Sequence, residues 1–507
     1  MAVRSEKLKI CIVFLFTVFI MLLFSYDSLL YKFNFWPDVN LYMILGRALN
    51  NGKELYKDLY DTKGPFWIFL YQVGNFISDD TFVGFWLMEV LCVFCYAYFS
   101  YRVLCIKNQG KNISLIYPCL ASLLYVTCLF QTGVLVVEQM VLAILSYLLY
   151  VYARILYGHS VSYFSYFLIG ILSAFILWSK FNYCCYLLIF CIAFILALRK
   201  TESRIFILKR LAVVFLGLFL VSLIIICKHG FVTLMDEYFF DMFRYASGGS
   251  ENYTLFEAIF RQALKVFAYF NTCCLIFIFF KFETNKNFKR LFLVIYLVHL
   301  FTNIIFHNGI LYYDQIYLLS AVFAVYFFKH DMFDRNFFKS GPSFSMLIVK
   351  WMFTILFCVC SIIGLFQSFS LVLYTISPDR VPQYKMAEYI RSRSEDPDIV
   401  FNSYDPMDIS VVNILKADLH FKYFTVYGNG GLHESERLSY IKEHIPDFII
   451  TDEDDTIRSY DGYRMVSGEE MGFSSDFNGK PPYYYGFLNE YGVYDKYHVM
   501  YLWERIY

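Results

Sequence analysis

The sequence predicts a polytopic α-helical membrane protein that carries a small C-terminal α/β domain. Three observations predict it. The 507 residues are 59% hydrophobic and only 17% charged, against roughly 25% charged in soluble domains, and the mean hydropathy is +0.50. Apolar runs of about 18 or more residues, the length that spans a bilayer, recur through the first three quarters of the chain. The zero net charge conceals a split: residues 1–376 hold 30 Lys and Arg against 20 Asp and Glu, and residues 377–507 hold 13 against 23. A basic membrane part, 1–376, is thus followed by an acidic, more polar domain, 377–507.

The apolar runs place about eleven transmembrane helices, at 8–31, 82–105, 113–130, 134–156, 163–180, 182–198, 211–227, 266–281, 291–308, 311–328 and 345–368. The first follows the cationic Arg4, Lys7 and Lys9 and has no small-x-small cleavage site before Asp27, so it reads as an anchor. With the N-terminus cytoplasmic, basic residues such as Arg102, Lys107, Arg154, Arg199, Lys209, Arg210 and Arg290 fall on the inside. The outside turns at 131–133 and 309–310 hold none, and that at 180–182 holds only Lys180. The positive-inside rule is met at every alternation. Eleven crossings then put the tail outside the cytoplasm, together with two long outer loops, 32–80 and 228–265.

All fourteen cysteines lie at or before Cys360, in or beside apolar segments. They read as buried small hydrophobes and not as a disulfide framework. Cys92 and Cys95 stand one helical turn apart in a membrane segment, where packing explains them without a metal. Membrane lipid is the partner this composition implies; nucleic acid is not. No internal repeat is visible, although many secondary transporters are built from repeated halves.

Within the first outer loop, VNLYMILGRALN has helical apolar spacing and FWIFLYQVGNFI is too short to span. Both read as interfacial helices with the apolar face toward lipid. The stretch YKDLYDTKGP between them sets Asp58, Asp61 and Lys63 on a turn at the outer surface. Charges at the lip of a membrane segment are costly unless paired, solvated or used. Asp38 opens the same loop after Pro37, a good N-cap placement. Glu138 lies just past the turn QTG, and Lys180 ends its segment in WSKFNY, where it can snorkel. Asp241 and Arg244 lie in the second outer loop, and His307 and Asp314 flank HNGILYYD. Each alone reads as a solvated charge. Their gathering toward one face, with Glu89 and Lys350 as exceptions, points to a site. The sequon Asn252-Tyr253-Thr254 matters only in a secretory-pathway host.

The tail reads as a small α/β unit. MAEYIRSR and residues about 434–444 have helical patterns, while DIVFNS, DFIITDE and YHVMYLWERIY read as strands. VYGNGGL lacks the GxGxxG spacing of a nucleotide loop and reads as a turn.

The first loop, PDVNLYMILGRALNNGKELYKDLYDTKGPFWIFLYQVG, resembles that of polytopic bacterial glycosyltransferases of the GT-C architecture. The group it is most similar to is glycosyltransferase family 39-like, related to protein mannosyltransferases and lipid A aminoarabinose transferases. In that group an Asp follows the first membrane helix, and a Y-x-D-x-x-D-x-K-x-P stretch leads into an interfacial helix. Those positions are Asp38, Tyr56, Asp58, Asp61, Lys63 and Pro65 here. VVEQM with Glu138, WSKFNY and the PDFIITDE strand match more loosely. One departure stands out. Many relatives carry a His-Tyr pair near the last-but-one membrane helix, where this chain reads YYDQIY and Asp314 takes the place of the His.

The resemblance implies transfer of a sugar from a polyprenyl-phosphate carrier to an extracytoplasmic acceptor at the bacterial inner membrane. Such a donor has a lipid tail lying among helices and a phosphate at headgroup level. Lys63 is at that height and is a fitting partner for phosphate. A carboxylate is needed as base for the acceptor hydroxyl, and Asp38 is assigned that role. Displacement at the anomeric carbon passes through oxocarbenium-like charge, by analogy with glycoside hydrolysis, and a single base favours inversion. Lys180 and Arg244 are candidates for phosphate or acceptor contact. Glu138 would orient Lys63 or line the acceptor path. Asp58 and Asp61 either shape the turn by pairing with Lys63, or bind acceptor or a divalent metal. Two carboxylates alone do not make a metal site, and no cofactor is expected. The rival readings are a lipid or glycan transporter or flippase, and an O-antigen-type polymerase or ligase. A transporter predicts polar residues near the bilayer midplane, and such a polymerase relies on a late loop, whereas the first loop is the richest here.

Overall fold

The computed structural model describes residues 2–31, 34, 36–109, 113–127, 134–248, 270–305, 311–331, 382–402, 409–425, 433–451, 460–467, 470–471 and 501–506, with four isolated positions between 355 and 362. The rest of the segment expected at 345–368, His307, the sequon at Asn252, the turn at 131–133 and VYGNGGL lie outside them.

Among the described residues the first α-helices are α1 (Ala2–Phe24), α2 (Pro37–Asn50), α3 (Pro65–Ile77), α4 (Val83–Lys107), α5 (Ile116–Thr127), α6 (Val137–Leu156), α7 (Tyr163–Leu177), α8 (Cys184–Leu198) and α9 (Arg204–His229). Helices follow at Asp241–Gly248, Phe270–Phe282, Lys286–Ile305 and Ala321–Asp331. Among the described residues, five helices are long and apolar enough to cross a membrane: Glu6–Phe24, Val83–Lys107, Val137–Leu156, Phe181–Leu198 and Arg204–His229. Ile116–Val126, Tyr163–Leu177, Cys273–Phe282 and Asp314–Phe327 are shorter apolar helices.

The chain divides into two compact units. The first comprises residues 1–28, 86–224 and 252–373, and the second 29–85, 225–251 and 374–507. Residues 374–507 fall in the second unit. They cluster with the first loop and the start of the second.

In the first unit, α6 is rich in apolar residues and all but three of its 20 residues are buried, as befits a central helix. α9 is equally apolar, yet only Ile207 and Gly217 are buried. Its exposed Phe215, Phe219 and Ile224 form a surface suited to lipid. α7 and α9 cross on two glycines. A Cβ on Gly170 would lie 2.0 Å from the Val214 carbonyl oxygen, and one on Gly217 2.3 Å from that of Phe167. Small residues permit such close backbone approach between membrane helices.

The segment expected as one spanning helix at 311–328 is instead wound as a 3-10 helix over Leu311–Ser320 before becoming α-helical. Its carbonyls bond to side chains: Tyr96 Oη donates to Leu318 O at 2.8 Å and Tyr296 Oη to Tyr317 O at 3.2 Å. These outside donors help to offset the poorer internal bonding of a 3-10 run this long.

In the second unit, α2 and α3 pack side by side, and a Cβ on Gly46 would lie 2.6 Å from Tyr71 O. Tyr42, Trp67, Tyr71 and Phe85 continue the contact as a chain of rings, with Tyr42–Tyr71 centroids 4.4 Å apart. The expectation that α2 turns an apolar face to lipid is not met. Residues 38–48 are all buried, and the helix Ser410–Leu415 packs against α2 alongside α3. α3 is two-sided, burying Trp67, Ile68, Tyr71 and Gly74 while exposing Phe69, Phe76 and Ile77. Gly46→Leu is expected to wedge α2 from α3 and cost about 1–3 kcal/mol or more of stability. Thermal unfolding in detergent checks this.

Among the described residues the tail contributes a four-stranded sheet in the order β1-β2-β4-β3, from β1 (Ile399–Asn402), β2 (Phe448–Thr451), β3 (Tyr463–Met465) and β4 (Tyr501–Arg505). β1 and β2 are parallel, and β4 runs antiparallel to both β2 and β3, with Val400 opposite Ile449 and Ile449 opposite Trp503. The parallel pair needs a long crossover, which includes the helices Ser410–Leu415 and Glu434–His444. Every residue of β1 and β2 is buried, so both read as continuous apolar runs and not as alternation. Val400, Ile441, Ile449, Tyr463 and Trp503 form the core on one face.

Candidate functional site

The second unit holds the residues of the YKDLYDTKGP motif. Asp38 is not the N-cap of α2. Trp36 takes that position with no side-chain cap bond, Pro37 is the first helical residue, and Asp38 follows in the first turn. There a carboxylate is favoured by the helix dipole. Asn40 Nδ2 donates to the carbonyls of Asn34 and Trp36 at 2.8 and 3.0 Å, which fixes the chain's entry into the helix. Asp38 is 7% exposed.

The turn between α2 and α3 is built by its own polar groups. Asp58 Oδ2 accepts from the Glu54 N–H at 2.9 Å, so Asp58 shapes the turn. Tyr56 is held at φ +70, a left-handed conformation uncommon for a bulky residue. Its N–H donates to Leu59 O at 2.7 Å, and its hydroxyl donates to Lys63 O at 3.3 Å. Asp61 is fully buried and its Oδ1 accepts from the Lys63 N–H at 2.6 Å. Asp61 Oδ2 has no hydrogen-bond partner among the described residues. Burial pushes the Asp61 carboxyl up to about 7; Lys63 opposes this and the charge of Asp38 adds to it. Lys63 Nζ lies 5.7 Å from the centre of the Tyr42 ring, in cation–π range. The turn therefore places two carboxylates and an ammonium together in a largely dry setting.

A second group adjoins the turn within the same unit. Tyr60 Oη donates to Asp241 Oδ2 at 3.0 Å, and Arg244 pairs with Asp241 Oδ1 at 2.9 Å while its side chain stays 70% exposed. The His433 ring stacks on Tyr423 at 3.9 Å and meets Tyr60 edge-on at 4.7 Å. Lys422 Nζ donates to Tyr56 O at 2.6 Å and to Glu237 Oε1 at 2.7 Å. Glu237 belongs to a π-helical stretch, Leu234–Phe240. These tail and second-loop partners escape a reading of the sequence, because they follow from pairings over hundreds of residues. The one local trace is the cation set between aromatics in HFKYF.

The tail also grips α2. Arg47 Nε pairs with Asp79 Oδ1 at 2.6 Å, and Arg47 also donates to Asn413 Oδ1 at 3.0 Å. Lys416 pairs with Asp79 and Asp80. Lys422→Met is expected to cost about 1–3 kcal/mol, because it strips the Tyr56 carbonyl and Glu237 of their donor. Faster amide exchange across residues 54–64 is the measurement that checks it.

The first unit holds the remaining predicted residues. Glu138, 1% exposed in the first turn of α6, accepts from Lys180 Nζ at 2.9 Å and from Tyr183 Oη at 2.6 Å on the same oxygen. Lys180 is thus engaged with Glu138 and is only 11% exposed, not snorkelled into solvent. Asp314 is buried and not a solvated turn residue. Its Oδ1 accepts from Asn303 Nδ2 at 2.7 Å and lies 2.9 Å from His299 Nε2. Tyr186 Oη is 2.6 Å from the other ring nitrogen. Glu89 is bonded by Ser25 and Gln139. Among the described residues, no three His, Cys, Asp or Glu side chains are grouped to hold a metal ion.

Helices of this length and apolarity make the chain a polytopic helical membrane protein. No family model matches the chain, and no curated protein sequence matches it. Solved structures do. ArnT from Cupriavidus metallidurans bound to undecaprenyl phosphate is similar with a TM-score of 0.56, at 10% identity over 99% of this chain and 98% of that one. ArnT from the same organism in the apo state is similar with a TM-score of 0.54, at 12% identity over 90% of this chain and 94% of that one. The likeness is one of fold.

Proposed function

We propose that the protein is a membrane glycosyltransferase, moving a hexosyl or pentosyl group from a polyprenyl-phosphate donor to a cell-envelope acceptor (glycan, lipid or protein). The observation that carries this reading is the dry grouping of Asp38, Asp61 and Lys63 around the turn between α2 and α3. A similar fold has been solved with undecaprenyl phosphate bound. In this reading Lys63 neutralises the donor phosphate as a point charge. Asp38 accepts the acceptor's proton, and inversion follows from a single displacement. Arg244, largely exposed beside Asp241, is a second cation for phosphate or acceptor. Lys180 holds Glu138 and supports the fold. The distribution of basic residues supports a cytoplasmic N-terminus, with the motif loop and the tail on the extracytoplasmic side of a bacterial inner membrane.

The test uses the full-length protein in lipid nanodiscs with a panel of polyprenyl-phosphate sugars, following donor binding and donor consumption. Consumption by the wild type, with binding weakened in Lys63→Ala, is expected. Failure of the wild type to bind any donor would sink the donor class and favour a transporter or flippase.

A further inference from the structure

Asp61 is left over by the mechanism above. Its carboxyl is fully buried, one oxygen is pinned by the Lys63 N–H, and Oδ2 has no hydrogen-bond partner among the described residues. An ionised carboxylate in that position would have a buried acceptor unsatisfied, at a cost larger than that of a neutral group. A carboxylic acid there turns the same oxygen into a donor. The charged and titratable groups around it are Asp38 from the start of α2, Lys63 two residues on, and Tyr56 and Tyr60 from the turn. Burial pushes both phenols above their ordinary range, so they stay protonated through neutral pH. Burial, reinforced by Asp38, brings Asp61 up to about 7.

A neutral Asp61 can give a hydrogen bond to a phosphodiester drawn to Lys63, and an ionised one cannot. We infer that Asp61 is the general acid of the transfer, passing its carboxylic proton to the phosphate oxygen that leaves the anomeric carbon. This rests on the function proposed above. The bond between the anomeric carbon and phosphate oxygen breaks with its electron pair on oxygen. That oxygen takes the Asp61 proton, so the carrier departs as polyprenyl hydrogen phosphate. The acceptor oxygen bonds to the anomeric carbon, and its proton goes to Asp38. Water then returns a proton to Asp61 and removes one from Asp38.

A general acid works only while protonated, so kcat/KM should fall about tenfold per pH unit above the Asp61 pKa of about 7. In the nanodisc assay, with a donor that the wild type consumes, Asp61→Asn is expected to lose about 10²-fold in rate at pH 6 and to lose that alkaline limb. Undecaprenyl phosphate binding should change less than about threefold, because the Asn side chain still accepts from the Lys63 N–H. An alkaline limb retained in Asp61→Asn overturns the assignment while leaving the functional reading intact. Should Asp61→Asn fail to accumulate, the wild-type profile decides. A flat rate between about pH 6 and 9 overturns the assignment, and a fall near 7 in kcat/KM without a fall in undecaprenyl phosphate binding upholds it. No turnover of any donor by the wild type overturns the functional reading and this inference together.

Discussion

Asp38→Asn is expected to reduce turnover by about 10²–10⁴-fold, the range a positioned general base supplies, with donor binding retained. The substitution keeps the shape of the side chain at the start of α2 and the bonds that Asn40 makes to the chain before it. What it removes is a charge and a proton acceptor. Loss of the negative charge also removes one of the groups that hold Asp61 high, so any remaining turnover should show its alkaline limb at lower pH. Steady-state turnover and equilibrium donor binding, measured on the same nanodisc preparation, separate these effects. Turnover within tenfold of the wild type would take the base role away from Asp38.

The second large effect concerns stability. Lys180→Met leaves Glu138 buried in α6 with the Tyr183 hydroxyl still donating to it. Removing one member of a buried ion pair costs about 3–5 kcal/mol, because the surviving charge is uncompensated. The companion Glu138→Gln removes the carboxylate to which Lys180 donates. The double variant Glu138→Gln/Lys180→Met should recover much of the loss, since neither charge is left without its partner. Thermal unfolding of the three proteins in one detergent forms the cycle, and additive losses would show that the two side chains do not act as a pair.

The helical architecture was legible because its signals are local. A run of apolar residues has the same meaning wherever it occurs, and Pro37 and Pro65 mark the first turns of α2 and α3. DIVF and DFII stood out as strands because both of their faces are buried. β3 is three residues long and has no such run. The motif loop is legible as a charged turn, and Asp58 shapes it by accepting from the Glu54 N–H. What could not be read is which carboxylate is dry. Asp58 and Asp61 look alike in YKDLYD, and only the packing around them buries the second completely. His299 was missed for a related reason. One His within an apolar helix gives no sign of its neighbours, and its pairing with Asp314 depends on a 3-10 segment that apolar periodicity does not foresee. The burial of α2 depended on the tail, and so lay beyond any local window.

The bonds between tail and motif loop also set an order of events in biosynthesis. Tyr56 accepts from a lysine synthesised 366 residues later. At ribosomal speeds of about 5–20 residues per second, that interval lasts tens of seconds. The turn around Tyr56 therefore emerges and inserts long before Lys422, Asn413 and Lys416 exist to hold it and α2. A message that ends early would give a chain with most of its spanning helices in place and an unfinished motif loop.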